Sequence, residues 1–178
     1  MQDLYTKIQS KDVSTMEDVL ATALDRLDWM RETNPSYQIS NDGKQVFLDI
    51  DLPEIEDMPN HTKKVIKTRQ SIENKDKKPE EIQHDYIIHV HGILIRVAGT
   101  CFSLFPSIEK VLCSGYTQRI NKQTGIMQDD YVLSIWFERL KWENTNPNQA
   151  NPVNYVENFQ FRREIKNGLF ETIEPFSS

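Results

Sequence analysis

The run Pro79-Glu-Glu-Ile-Gln-His-Asp-Tyr-Ile-Ile-His-Val-His-Gly-Ile-Leu-Ile-Arg-Val-Ala-Gly-Thr-Cys-Phe-Ser-Leu-Phe105 decides the architecture of this chain. Pro79 suits the first turn of a helix, where its missing N–H has no partner to lose. Glu80 and Glu81 suit the positive end of the helix dipole. Ile82, Tyr86, His89, Val90, Ile93, Val97, Cys101 and Leu104 form an apolar stripe, which Ile87, Leu94, Ala98 and Phe105 widen. Only Asp85, Gly92, Arg96, Gly99 and Ser103 make a polar or small face. A helix apolar nearly all round is a central one. Residues 79–105 are therefore predicted as the helix on which everything else packs, ended by Pro106.

Before it, Ser14-Thr-Met-Glu17 has the form of a capping box, followed by Val19, Leu20, Ala23, Leu24 and Leu27 at helical spacing to about Met30. Asn34-Pro35 ends that helix. Residues 37–40 and 45–52 read as a hairpin, with Gly43 in the left-handed turn position. Val46, Leu48, Ile50 and Leu52 then share the core face, and Phe47, Asp49 and Asp51 the other. Residues 65–73 form a third predicted strand, with Lys67 and Arg69 on one face and Ile66, Thr68, Gln70 and Ile72 on the other. After the helix come strands at 110–116 and 130–138, joined by a turn-rich hairpin over 119–128. A polar loop at 144–151, a short helix at 152–159 and a tail of strand or ordered coil at 161–176 complete the chain. The predicted fold is α+β: a mixed or mostly antiparallel sheet of about five strands packed on a long central helix. Residues 1–13 are assigned as an N-terminal extension and 14–176 as a single domain.

With 178 residues, 38% of them apolar and 27% charged, the chain is globular in composition and large enough for a core without staples. No apolar run approaches the roughly 20 residues of a membrane helix, and the N-terminus lacks the pattern of a signal peptide. Cys101 and Cys113 have no CxxC spacing, so reduced thiols in the cytoplasm are expected. A net charge of −6 argues against wholesale polyanion binding and leaves room for a local basic patch.

The chemistry-bearing residues are few. His89 and His91 are two apart and point about 200° apart on a helix. His84 and His91 share a face but sit about 10.5 Å apart along the axis, too far for one zinc ion. No metal site is assigned to them. There is no nucleophile elbow around Ser114, no catalytic cysteine signature and no Gly-rich phosphate loop. Asp49 and Asp51 project from one strand face about 6.6 Å apart, a geometry that suits a hard cation. With Glu73 and Lys75 downstream they resemble the Asp…Glu-x-Lys pattern of metal nucleases of the restriction-endonuclease-like type, in which the acids hold the metal and the lysine helps activate water. The favoured alternative pairs Asp49 and Asp51 with Lys67 and Arg69 across adjacent strands. Residues 61–78 hold seven Lys or Arg and two acids, and Lys63, Lys64, Lys67 and Arg69 are the candidate phosphate contacts. The segment has no aromatic residue for base stacking. Arg96, flanked by Gly92 and Gly99, is expected to pair with a carboxylate of the 49–57 cluster, or else to anchor an interface.

The blocks Leu48–Pro59, His89–Gly99, Val111–Tyr116 and Ile173–Phe176, which hold Asp49-Ile-Asp51, His89-Val-His91, Cys113-Ser-Gly115 and Glu174-Pro-Phe176, resemble a bacterial domain of unknown function. That domain lies near the C-terminus of larger proteins, often after coiled-coil segments, and a more distant version accompanies Mrr-type restriction endonucleases. The resemblance implies that this chain is part of a longer protein and sits beside a catalytic module. It carries over no catalytic residue, and Glu73-Asn-Lys75 is not among its motifs. The expectation is a non-catalytic accessory or protein-interaction domain of a cytoplasmic bacterial protein, defence-related. It needs no cofactor, and its partner is a protein or a neighbouring domain of the same polypeptide. The alternatives are a metal-dependent nuclease and nucleic-acid binding through 61–78.

Overall fold

In the computed structural model, which describes residues 2–30, 33, 35–66, 71–121 and 123–177, nine strands and five helices follow one another along the chain. Helices α1 (Gln2–Gln9) and α2 (Val13–Asp25) precede strands β1 (Ser36–Ile39) and β2 (Gln45–Asp51). A two-stranded ribbon, β3 (His61–Ile66) and β4 (Ser71–Asp76), leads into α3 (Pro79–Leu104). Strands β5 (Lys110–Ile120) and β6 (Met127–Glu138), helices α4 (Arg139–Glu143) and α5 (Pro152–Tyr155), and strands β7 (Gln160–Arg163), β8 (Ile165–Lys166) and β9 (Leu169–Phe170) complete it.

The main sheet has five strands in the order β1-β2-β5-β6-β7. Every pairing is antiparallel except β2 with β5, which run parallel from Gln45↔Lys110 to Asp51↔Tyr116. Parallel neighbours need a crossover connection, and here the ribbon and α3 supply it. The fold is α+β, with the five-stranded mixed sheet packed on the central helix. The alternation expected in β2 is present: Val46, Leu48 and Ile50 are buried while Phe47, Asp49 and Asp51 are half-buried. The inner face packs on α3 through Val90, Leu94, Val97, Ala98 and Cys101, and on α2 through Met16, Leu20 and Leu24.

Helix α3 has nine buried residues. Its most apolar 18-residue window has a mean hydropathy of 1.5, and 44% of that window is buried. By length and composition alone such a helix is apolar enough to cross a membrane, which corrects the expectation that no run comes near. At its C-terminus, orphan carbonyls are satisfied from another element: Arg139 Nη2 donates to Phe105 O at 2.7 Å and Phe102 O at 3.2 Å, and Nε to Ile108 O at 2.6 Å. The guanidinium also lies over the Phe102 ring, 4.8 Å from its centroid. A cation is favourable at that end of the dipole.

Four local expectations are corrected. Helix α2 begins at Val13 after Asp12, whose carboxylate accepts from the Thr15 hydroxyl, so Ser14-Thr-Met-Glu17 is not its capping box. It ends at Asp25, and Trp29 Nε1 donates back to Leu24 O at 3.0 Å. Residues 65–73 do not form one strand, because the ribbon turns back between Ile66 and Ser71. Strands β5 and β6 run into the segment predicted as turn, leaving only 121–126 between them, with Gly125 at φ 69°. The hairpin at Gly43 forms as expected, with φ 63° and a 2.8 Å hydrogen bond from its N–H to Ser40 O.

Gly115 is required by packing. A Cβ built on it would lie 2.6 Å from Leu52 Cδ1, and Leu52 is fully buried. The β5–β6 register shifts at Gly115/Tyr116, as a bulge does.

Candidate functional site

The outer face of the sheet, away from α3, carries a row of polar residues, one from each strand. The ladder places Ser36 opposite Asp49, Asp49 beside Ser114, Ser114 opposite Ser134 and Ser134 opposite Arg162. Rings flank this row. Phe47 and Trp136 meet edge to face with centroids 5.9 Å apart, and Tyr116 and Tyr131 are 5.6 Å apart.

The C-terminal tail lies over the β6–β7 half of this face. Ile173 N–H donates to Tyr131 O at 2.8 Å, and Phe176 N–H donates to Ser134 Oγ at 3.1 Å. Arg162 Nη1 donates to the carbonyls of Glu174 and Pro175 at 3.1 and 3.0 Å, and its guanidinium lies 4.3 Å from the Phe176 centroid. A cleft of about 460 Å³ remains between the tail and β1, β2 and β5, lined by Ser36, Gln38, Phe47, Asp49, Ser114, Tyr131 and Phe176 among others.

Asp49 is the charged residue of this lining among the described residues. Burial raises its carboxyl above the ordinary carboxylate range, a hydrogen bond from the Tyr131 hydroxyl pulls it part of the way back, and Asp129 pushes it up again. Burial and the Asp49 charge together push the Tyr131 phenol up to about 12. Ser114 and Ser134, both buried, share a 2.8 Å hydrogen bond.

The structure separates the residues of the nuclease pattern. Asp49 and Asp51 belong to β2 of the main sheet, while Glu73 and Lys75 stand exposed on β4 of the ribbon. Among the described residues no group of three His, Cys, Asp or Glu is placed to hold a metal. The expected charge pairing of 45–52 with 65–73 is also not formed, because β2 has β1 on one edge and β5 on the other. Lys67 and Arg69 lie outside the described residues. In the ribbon Lys63 faces Asn74, and Lys75 faces Thr62.

Arg96 is exposed, and its guanidinium donates to the Asp28 carbonyl at 2.9 Å. The ion pair expected with a carboxylate of 49–57 is not formed: among the described residues, the partner of Arg96 is the Asp28 carbonyl. Gly92 has open space where a Cβ would stand, whereas at Gly99 a Cβ would come within 3.0 Å of Trp142. Two hollows adjoin Arg96, one of about 700 Å³ beside Trp142 and Pro147, and one of about 270 Å³ beside Trp29 and Met30.

His89 and His91 behave as packing residues, while His61 and His84 are exposed. His91 is fully buried and its ring stacks on Phe170 with centroids 5.8 Å apart. Its Nδ1 lies 2.7 Å from Ile87 O and its Nε2 2.9 Å from Arg163 Nη1. Burial first, with the nearby guanidinium adding to it, lowers its pKa to about 4. Half-buried His89 is also lowered by burial, and its Nε2 has no partner among the described residues. Both thiols are inert: burial pushes Cys101 up to about 12 and Cys113 well above its ordinary value.

No protein-family model, curated protein or solved structure matches this chain.

The sequence reading missed Tyr131, Ser134, Arg162 and Phe176. Each reaches the cleft through strand register or through the path of the tail; no local motif marks Tyr131, Ser134 or Arg162, and Phe176 stood only in the resemblance motif 173–176 without a role.

Proposed function

We propose that the domain is a non-catalytic accessory module that binds a protein partner through the β3–β4 ribbon. One observation carries this reading: among the described residues the ribbon pairs only with itself, and its described side chains, from His61 to Lys63 and from Ile72 to Asp76, are all exposed. Ile72 is 67% exposed. A ribbon with unpaired edges is a template for adding a strand from another chain, and an exposed isoleucine on it gives that contact an apolar anchor.

Register speaks for a protein over a nucleic acid. Lys63 shares its face with Asn74 and Asp76, while Lys75 shares the opposite face with Glu73. By register Lys63 lies on one face with Asp76, and Lys64 and Lys75 on the other with Glu73, so the lysines are divided between the faces, and phosphate contact favours one basic face. The resemblance of 48–59 and 89–99 to a domain that accompanies catalytic modules supports a placement inside a larger cytoplasmic bacterial protein with a defence role.

A photocrosslinker at position 72 of the full chain, with position 143 on α4 as control, tests the reading in cells. A protein adduct formed from 72 and abolished by flanking Thr62→Pro supports it. Adducts equal at both positions, or none from 72, overturn it, and an adduct removed by nuclease moves the ribbon to nucleic-acid binding.

A further inference from the structure

We propose that the cleft between the C-terminal tail and the outer sheet face binds an alkylammonium group, with Asp49 as its counter-ion and Phe47, Tyr131 and Phe176 around it.

The geometry of Asp49 is the starting point. Its carboxylate is half-buried in a cleft of about 460 Å³, and it takes part in no ion pair among the described residues. The Tyr131 hydroxyl nearby favours its charged form, and the nearby Asp129 adds a second negative charge. An anion withdrawn from water without a cation is costly, and burial accordingly raises its pKa.

The protein supplies no cation of its own to the cleft, whose lining is otherwise uncharged among the described residues. Arg162, which stands in the same row, is engaged by the tail. Its Nη1 is used on the Glu174 and Pro175 carbonyls, and its guanidinium stacks on Phe176.

The remaining lining matches the same ligand. Phenyl and phenol faces attract a cation through their quadrupoles, and rings grouped with a carboxylate are how quaternary and methylated ammonium groups are recognised elsewhere. The Ser114–Ser134 pair leaves one hydroxyl hydrogen beyond the bond they share. That spare hydrogen, with Ser36 and Gln38 at the cleft wall, suits a polar group next to the ammonium. The size admits one side chain or one small amine. An ammonium from either a lysine side chain of a peptide or a free amine has this chemistry.

Titration followed by amide chemical shifts tests the proposal on the full chain. The probes are Nα-acetyl-lysine methylamide, choline, and the uncharged Nα-acetyl-norleucine methylamide. The expected result is saturable shifts at Asp49, Ser114 and Phe176 with a charged probe and none with norleucine. Asp49→Asn is expected to weaken binding about tenfold or more. Stronger binding of the lysine probe assigns the site to a peptide, and stronger binding of choline assigns it to a small amine. Equal binding of the norleucine probe, unchanged affinity in Asp49→Asn, or no saturable shift with any probe overturns the proposal. Tyr131→Phe is a second variant that keeps the ring and removes the hydroxyl beside Asp49, and it is expected to weaken binding of the charged probes, so a folding defect in one variant leaves the other to decide.

Discussion

His91 Nε2 accepts a hydrogen bond from Arg163 Nη1 at 2.9 Å, which joins the middle of α3 to strand β7 through the core. An acceptor at Nε2 puts the proton of the neutral ring on Nδ1, where Ile87 O receives it at 2.7 Å. Arg163 is itself held by Val153 O at 2.9 Å and by Glu157 at 2.5 Å. The cluster therefore fixes one tautomer and one charge state, since a protonated ring would face the guanidinium.

This predicts a pH-dependent loss of stability. The folded pKa of about 4 lies below the ordinary 6.5, so the unfolded chain binds the extra proton and stability falls as pH drops. The contribution is complete above pH 6.5 and is lost progressively down to about 4. Its full size is on the order of 3 kcal/mol. Urea unfolding of wild type and His91→Gln between pH 4 and 7.5 measures it. The expected result is a difference between the two that narrows as pH falls.

Asp49→Asn is expected to stabilise the protein at neutral pH. The variant keeps an acceptor for Tyr131 and removes a carboxylate that burial raises above its ordinary pKa. For a raised acid the folded state holds its proton more tightly, so ionisation destabilises the fold at higher pH. The gain in Tm should be present at pH 7 and disappear as pH falls through the raised pKa towards 3.8. A drop in Tm at pH 7 would show that the carboxylate contributes to the fold.

Gly115→Ala is expected to cost about 1–3 kcal/mol, because its methyl would overlap the buried Leu52. Leu52→Val should recover part of that loss, since the two positions share one space. Thermal melts of the two single variants and the double variant check the coupling.

Removing the Arg139 guanidinium as Arg139→Met should cost about 1–3 kcal/mol, because it leaves the Ile108 carbonyl without its donor and the Phe105 carbonyl with only the Ile108 N–H. Amide exchange should speed up in the last turn of α3 before it does so at the first.

Replacing 61–76 by a short Gly-Ser linker should change stability by less than about 1 kcal/mol, because the described side chains of the ribbon reach no core residue. The Lys77–Asp85 ion pair at 2.7 Å lies at the base and is retained. A loss of cooperative unfolding would mean that the ribbon carries part of the fold.

The central helix was legible because its apolar positions go almost all the way round, and β2 because its alternation is strict. Both signals are local. The neighbour of β2 was not legible: β5 lies some sixty residues on, and a parallel pairing leaves no turn to mark it. The opposed charges of Asp49, Asp51, Lys67 and Arg69 suggested a nearer partner, and that suggestion was wrong. The last hairpin had a readable signal in Asn167-Gly168, whose φ values of 52° and 77° suit a two-residue turn. The cleft was half legible. Asp49 stood out as an acid on a strand face, while the groups that surround it come from β5, β6 and the tail, which only the folded register brings together.

The parallel seam between β2 and β5 has a further consequence. On each side of it the strands close on near neighbours, β1 with β2 and β5 with β6, whereas the seam itself waits for a long loop to close. The chain is thus two self-contained halves sewn along one line, with the ribbon in the connection between them. Cleaving or inserting into the backbone at the ribbon should be tolerated, and the two pieces, produced separately, should find each other and complement.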